Sequence, residues 1–216
     1  MISNDEVKVL RQKYPEKFIC ADATSIAGGV YYDIGQLDVF LFSVQKCFSV
    51  PSGLGIMICS PRFFEKAKQN QEKGEHIGIV HNLVDMQKKM ETKYQTQETP
   101  PVMQIGLLNA VIKRIKADYG DIHATEKEVK RRAFFLWDFF EKHEELEPFP
   151  VNSEYRSDTV IVVSGEEDVI AKYRKKAEQV GISMAGGYGK TKSHAFRVAN
   201  FTASDMKSME NLVENL

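Results

Sequence analysis

Residues 37–48 read LDVFLFSVQKCF and are followed by PSGLG at residues 51–55. The apolar run from Val39 to Val44 predicts a buried strand, because a short apolar run bounded by turn residues is typical of one. Lys46 comes directly after this strand and before the Pro/Gly turn. Lysines are rarely buried without a partner or a chemical task. One such task is to form a Schiff base with pyridoxal 5'-phosphate (PLP), since burial favours the neutral, nucleophilic amine.

A carboxylate ends a second predicted strand upstream. Phe18–Asp22 has the pattern of a short apolar strand that closes on an acid, and the pair Gly28 and Gly29 follows. PLP chemistry needs a carboxylate against the pyridinium nitrogen, and strand ends of an α/β sheet can share one crevice. Taken singly, Asp22 is more typical of a turn or helix cap, and Lys46 of the surface. Their joint position at two strand ends favours a shared PLP site.

Several segments of the chain, taken in order, resemble the class V aminotransferases. They are DATS at residues 22–25, SVQK at 43–46 with the PSGLG turn, ETPP at 98–101 and FRVANF at 196–201. The Gln45-Lys46 pair is most similar to the phosphoserine aminotransferase branch of this family. The resemblance covers nearly the whole chain, and the series of segments is far more specific than any one of them.

The resemblance implies an α/β fold, that of the fold-type I PLP-dependent transferases. Residues 1–99 would then be the C-terminal part of the large PLP-binding domain, which is incomplete here, with part of its sheet. Residues 100–216 would form the small C-terminal α/β domain. The resemblance also implies a homodimer with shared active sites.

The same resemblance assigns roles to individual residues. Lys46 would carry the cofactor and then act as the general base, while Asp22 would hold the pyridinium nitrogen. Ser25 and Gln45 would contact the cofactor within the same chain. Thr99 would contact a phosphate in the neighbouring subunit's site.

The substrate carboxylate would bind Arg197, because a planar guanidinium grips a carboxylate through two hydrogen bonds. The full enzyme would transfer an amino group between a phosphorylated serine and 2-oxoglutarate. The phosphoserine branch places a His-Arg pair shortly before this arginine, whereas this chain has Lys190 and Thr191 there. Lys190, Lys192 or His194 is then the candidate phosphate ligand. This departure keeps open a class V aminotransferase that uses alanine or serine with glyoxylate or pyruvate.

Members of the family are considerably longer, and their equivalent of Asp22 lies near the middle of the chain. The sequence therefore resembles the C-terminal portion of the family. The glycine-rich turn that binds the cofactor phosphate at a helix N-terminus would lie in the other half. We expect weak PLP binding and negligible transamination from residues 1–216 by themselves. A catalytically inert chain that serves as an interaction module is the alternative from a different class.

Charge, apolar runs and the cysteine and histidine content argue against several other classes of function. A net charge of −1 without a basic block argues against nucleic-acid and membrane-surface roles, and no apolar run approaches the length of a membrane span. Cys20, Cys47 and Cys59 are predicted to be buried thiols of a reducing compartment, which indicates a cytoplasmic protein. His76 and His81 are five positions apart, off the spacing of a helical zinc pair, so no metal site is predicted.

Local patterns predict the remaining elements. Residues 1–15 form a short helix opened by a Ser3-x-x-Glu6 capping box. Further helices are expected from Pro61 and over Met103–Tyr119, Ala124–His143, Glu166–Gln179 and Ser204–Leu216, and strands over Gly55–Ser60, Thr159–Val163 and Ala195–Ala199. Residues 71–95 are polar and predict a loop with some helix. The aromatic residues of the second long helix, Phe134, Phe135, Trp137 and Phe139, are expected to face a core or an interface.

Overall fold

The computed structural model describes residues 2–75, 78 and 80–216 of the chain. Its first sheet has the order β1 (Cys20–Asp22), β2 (Val39–Ser43), β3 (Gly55–Cys59). Strand β1 runs parallel to β2 with Asp22 opposite Leu41, and β3 is antiparallel to β2. The carboxyl ends of β1 and β2 therefore meet at one edge, which confirms the two predicted strand ends.

Helix α1 (Asn4–Lys13) packs on this sheet through its buried Val7. The predicted capping box is confirmed: the Ser3 hydroxyl accepts from the Glu6 N–H at 3.1 Å, and Ser3 N–H donates to Glu6 Oε2 at 2.6 Å. The strands and the turns after them supply the other members of the first core, which are Ala23, Ala27, Tyr32, Leu37, Phe40, Phe42, Val44 and Val50. The apolar run that ends near Lys46 is thus at the centre of a core.

A buried carboxylate ties α1 to the sheet. The Asp38 side chain is 1 % exposed and accepts from Arg11 Nη2 at 2.6 Å and from Arg62 Nε at 2.7 Å. It also accepts from the Ile19 N–H at 2.9 Å and the Ser60 hydroxyl at 3.0 Å. Burial by itself would raise the pKa of Asp38, but these hydrogen bonds and the charge of Arg11 outweigh it and lower the pKa. The carboxylate is therefore ionised and fully engaged in the folded chain.

Replacing Asp38 with asparagine is expected to lower the free energy of unfolding by about 2 kcal/mol at pH 7, because several charge-assisted hydrogen bonds are lost. The pKa is lower in the folded chain, so this stabilisation is complete above the unfolded-state value, about 3.9, and is lost as the pH falls below it. Urea unfolding at pH 7 and pH 3 measures both effects. The exposed Asp5 provides the control, Asp5→Asn. A difference that stays constant down to pH 3 would contradict the role of Asp38.

The next two helices are short and amphipathic. Helix α2 (Pro61–Glu72) begins at the predicted proline, with the Ser60 side chain accepting from the Phe63 N–H. Helix α3 (Leu83–Lys93) lies in the segment predicted as a loop with some helix, and the Asn82 side chain caps its first turn. The prediction for this segment was incomplete because α3 is mostly polar, with apolar residues only at Leu83, Val84, Met86 and Met90, so its apolar pattern is weak.

Helix α4 (Val102–Tyr119) is the most exposed of the long helices. None of its residues is buried, and Leu108 and Val111 pack partly against the first core. At its start, Val102 is 70 % exposed and Met103 77 % exposed. The apolar side chains that predicted this helix therefore lie mostly outside the core of this chain.

The second sheet is antiparallel, with the order β4 (Glu147–Pro148), β5 (Val160–Ser164), β7 (Ala195–Ala199), β6 (Ala185–Gly186). Three helices pack against it: α5 (Ile122–Glu141), α6 (Glu167–Gln179) and α7 (Met206–Asn215). Their shared core includes Leu136, Phe140, Ile161, Val163, Ile170, Tyr173, Phe196 and Leu212. This arrangement confirms the helices that were predicted for the second half of the chain, now α5, α6 and α7. It also confirms the two predicted strands of five residues, β5 and β7. The proposed boundary between residues 99 and 100 stays a prediction.

Trp137 is buried at 8 % exposure, whereas Phe134 on the same helix is 74 % exposed, so its place at an interface stays a prediction. The expectation that all three cysteines are buried was wrong in part. Of the cysteines, Cys47 is buried and Cys59 half-buried, whereas Cys20 is exposed on β1, an edge strand of the first sheet. In the described ranges, no helix has both the length and the apolar composition needed to cross a bilayer.

Candidate active site

Lys46 lies in a tight turn directly after β2. The Ser49 N–H donates to the Lys46 carbonyl at 2.8 Å, and the Val50 N–H donates to the Val44 carbonyl at 3.2 Å. Ser49 adopts a left-handed conformation with φ of 52° to close the turn. Lys46 itself is half-buried rather than enclosed. The apolar strand thus ends in a turn whose backbone is fixed and whose lysine reaches partly into solvent.

Neighbouring segments hold this turn from two sides. The buried Cys47 donates its thiol to the Ser25 carbonyl at 3.4 Å, and its own carbonyl accepts a hydrogen bond from the Thr202 hydroxyl. Burial raises the pKa of Cys47 to about 12, so this thiol packs rather than reacts. A Cβ on Gly29 would lie 2.8 Å from Cys47 Sγ, which explains why a glycine stands there. The turn is therefore fixed by the segment after β1 and by the segment after β7.

A cleft of about 620 Å³ lies beside Lys46. Ser25 and Lys46 line one part of it, and the second sheet supplies Val160, Val162 and Arg197 from β5 and β7. The structure therefore brings together the predicted cofactor lysine and the predicted carboxylate-binding arginine, which are far apart in the sequence.

Arg197 is half-buried on β7 and is held at two points. Its Nε donates to the Gly186 carbonyl at 2.8 Å, and its Cζ lies 3.9 Å from the ring centroid of Tyr188. Among the described residues, no Asp or Glu forms an ion pair with it, so the guanidinium charge is free to meet an anion in the cleft. A backbone carbonyl and an aromatic ring orient this cation without neutralising it.

Asp22 is exposed at the end of β1. The Thr24 hydroxyl and the Thr24 N–H donate to its Oδ1 at 2.6 Å and 3.0 Å, and these hydrogen bonds lower the pKa of Asp22. The carboxylate is therefore ionised at neutral pH. Asp22 lines a separate cavity, which is also lined by Val7 of α1. It does not line the cleft beside Lys46. The structure does not place the two residues in one cleft, and their shared use stays a prediction.

The other predicted site residues lie on exposed segments. Gln45 is exposed beside Lys46, and Thr99 is exposed shortly before α4. Lys190 and His194 are exposed on the segment before β7, and neither lines the cleft, whereas Thr191 does. Their roles in binding the cofactor or a substrate phosphate stay predictions.

Two contributors to the site were missed in the sequence. Tyr188 lies on Arg197, and its only sequence signal was an aromatic residue among the glycines of residues 186–189. Arg132 is buried on α5, donates to Asn200 Oδ1 at 2.8 Å and to the Phe201 carbonyl at 3.1 Å, and so fixes the segment after β7. No local pattern could indicate this pair, because the partners are distant in the sequence.

Comparisons with known proteins decide the family. The family model described as Aminotransferase class-V matches residues 4–188, which include Lys46 and Asp22. The chain belongs to the class V aminotransferases. The phosphoserine aminotransferase of Corynebacterium glutamicum (strain R) is 28% identical over 208 residues, which are 95% of this chain and 55% of that protein. A putative phosphoserine aminotransferase of Mycobacterium leprae (strain TN) is 30% identical over 91% of this chain and 52% of its own length.

Solved structures agree with this class V assignment. A crystal structure of a phosphoserine aminotransferase from Cytophaga hutchinsonii superposes with a TM-score of 0.92 at 29% identity, over 100% of this chain and 58% of that one. An alanine–glyoxylate aminotransferase from Nostoc sp. has the same fold, with a TM-score of 0.81 at 19% identity. The predicted fold-type I α/β fold is confirmed. The class V chain spans about half the length of the curated relatives it matches.

The class V chain gives no indication of a metal centre in the part that the structure describes, where His, Cys, Asp and Glu form no cluster of three or more. His76, one of the two histidines considered in the sequence, lies outside the described residues.

Proposed function

We propose that this chain provides the cofactor lysine and the substrate-binding arginine of a PLP-dependent aminotransferase. The observation that carries the proposal is that Lys46 and Arg197 line one cleft, although they come from different sheets. Transamination of an amino acid needs a cation that binds the substrate carboxylate and an amine next to the reacting carbon. Arg197 and Lys46 supply these two groups.

Two residues carry the groups that PLP needs, one on the cleft and one at the separate cavity. Lys46 is accessible from the cleft and can hold the cofactor covalently through Nζ. Asp22 is ionised, and within the described ranges its hydrogen bonds reach Oδ1, which leaves Oδ2 to hold a protonated ring nitrogen. When bound, PLP supplies an electron sink for negative charge at the substrate Cα. Lys46 then removes and returns the proton at that Cα, and the contacts of Cys47 and Ser49 fix the backbone from which its side chain extends.

Arg197→Lys is expected to weaken the binding of 2-oxoglutarate and of phosphoserine by about tenfold, because one ammonium replaces a two-point grip and a charge-assisted hydrogen bond is worth about 1.5–3 kcal/mol. Titration calorimetry with each ligand measures the effect. Arg131→Lys is the control, since Arg131 is exposed on α5 and pairs with Glu128. Unchanged affinity for both ligands would place Arg197 outside the substrate site.

We propose phosphoserine and 2-oxoglutarate as the substrates. The relatives that match over nine-tenths of the chain are named phosphoserine aminotransferases, and this supports the same amino donor here. A specific observation favours a second candidate. Lys190 and Thr191 replace the His-Arg pair of that branch, and Lys190 does not line the cleft. A cleft without a phosphate-binding cation suits an amino donor with a small uncharged side chain, such as alanine or serine. Glyoxylate or pyruvate would then be the acceptor.

A panel of amino donors separates these candidates. The chain, supplemented with the N-terminal half of a class V relative, is saturated with PLP and mixed with phosphoserine, alanine or serine. The absorbance of the bound cofactor is followed through a single turnover, so that even slow conversion is detected. We expect the fastest conversion with phosphoserine. Faster conversion with alanine or serine would favour the second candidate. No conversion with any donor would contradict both and favour an inert interaction module.

We also propose that the working enzyme is a homodimer in which Thr99 reaches the partner's site. The support is local: Thr99 is exposed, and Val102 and Met103 that follow it are largely exposed apolar residues, as expected of a surface that another chain covers. Analytical ultracentrifugation tests the association, and the matched pair Met103→Asp and Lys113→Asp tests whether this end of α4 is responsible.

A further inference from the structure

We infer that Tyr188 is a positioning residue that holds the Arg197 guanidinium in the orientation needed to receive the substrate carboxylate. This inference rests on the proposed function of Arg197. Tyr188 has no assigned role in the proposed reaction, yet it lines the same cleft and lies against the arginine.

The contact between the two side chains is close. Arg197 Cζ is 3.9 Å from the centroid of the Tyr188 ring, and Arg197 Nε is fixed by the Gly186 carbonyl at 2.8 Å. The ring covers one face of the guanidinium, and the Gly186 carbonyl accepts the hydrogen bond from Nε. Because only Nε is committed to the Gly186 carbonyl, the terminal nitrogens can turn from the Tyr188 phenol toward an anion, and a two-point carboxylate grip uses such nitrogens.

The loop backbone places the ring on the arginine. Gly187 donates its N–H to the Ala195 carbonyl at 2.9 Å, and a Cβ at Gly187 would lie 2.3 Å from the Thr191 carbonyl oxygen. The loop can therefore fold back this closely on Thr191 only with a glycine before Tyr188. The loop thus has a fixed path that sets the ring against Arg197 of β7.

Core packing does not explain the tyrosine. Tyr188 is 72 % exposed, so the ring contributes little apolar burial. The charged groups that act on it are Arg197, by hydrogen bonding and charge, and Lys46, by charge, and they lower the pKa of its phenol. The Tyr188 phenol is therefore affected by the charges of both Arg197 and Lys46.

Two substitutions separate the ring from the hydroxyl. Tyr188→Phe keeps the ring over Arg197, so the affinity for 2-oxoglutarate should stay within about twofold of the unaltered chain. Tyr188→Leu removes the aromatic face, so the affinity should fall about fivefold. This is the effect expected for a cation–π contact whose strength lies between that of an exposed contact and that of a desolvated one. Tyr94→Leu is the control, because Tyr94 is 91 % exposed and does not line the cleft.

A second readout distinguishes positioning from general structural support. In the full chain with ¹³C-labelled tyrosine, the Tyr188 signal is assigned by its absence in Tyr188→Phe, and its titration is followed with and without 2-oxoglutarate. A carboxylate on Arg197 neutralises the cation under the ring, so the phenol should titrate at higher pH when the ligand is bound. Tyr94 should titrate the same way in both samples.

The outcomes are distinct. Weaker binding in Tyr188→Leu together with the ligand-dependent titration of Tyr188 supports the inference. If the unaltered chain binds 2-oxoglutarate but Tyr188→Leu binds it equally well, or the titration does not move, the inference is overturned and the proposed function stands. If the unaltered chain binds no 2-oxoglutarate even at saturation, the proposed function fails and the inference fails with it.

Discussion

Replacing Arg132 with alanine is expected to lower the free energy of unfolding by about 3–5 kcal/mol, the cost of removing one partner from a buried charged network. The Arg132 side chain is 1 % exposed and contacts Glu128, Asn200 and the Phe201 carbonyl. Asn200 in turn donates to the carbonyls of Val129 and Asp158, at 2.8 Å and 2.7 Å. Removal of the guanidinium leaves buried acceptors without a donor, and each of these is costly.

Urea unfolding monitored by circular dichroism measures this loss. The matched control is Arg131→Ala, one position away on α5, whose exposed side chain also bonds Glu128 at 2.8 Å. An exposed pair contributes about 1 kcal/mol or less, so the control should unfold nearly like the unaltered chain. Equal losses in the two variants would mean that the buried network does not stabilise the fold as described.

Lys46→Ala is expected to abolish the specific, saturable attachment of PLP that borohydride can fix. Removal of the side chain takes away the only amine that the described residues place in the cleft at the end of β2, so the remaining label should be the slow background of surface lysines. Intact-mass measurement after reduction quantifies the adduct. Lys142→Ala is the control, since that lysine is exposed and pairs with Asp138. Equal adduct in the unaltered chain and in Lys46→Ala would reject Lys46 as the cofactor lysine.

The sequence predicted the elements whose pattern is local and strong. The run from Val39 to Val44 gave β2 within one residue, and the apolar spacing of α5 gave that helix, because both patterns follow directly from burial. Strands β4 and β6 were missed, since each has two residues and exists through pairing with β5 or β7 rather than through a pattern of its own. Exposure of Cys20 was missed because the edge position of β1 is set by the fold and not by its composition.

The candidate site was predictable only in part, for the same reason. Lys46 and Arg197 each lie in a segment that resembles the family, so the sequence predicts a role for both, and the structure places them in one cleft. The contact between Arg132 and Asn200 joins α5 to the segment after β7 and has no local signal. No local pattern marks Tyr188 as a neighbour of Arg197, because the pairing of β6 with β7 brings the two together.

The central claim is that Lys46, at the end of β2, is the residue that holds PLP. The most direct test treats the unaltered chain with increasing PLP, fixes the adduct with borohydride and identifies the labelled lysines by peptide mass spectrometry. The account predicts that the peptide containing Lys46 is labelled at the lowest PLP concentration and saturates before any other. Label spread evenly over the exposed lysines, or concentrated on another lysine such as Lys190, would contradict it.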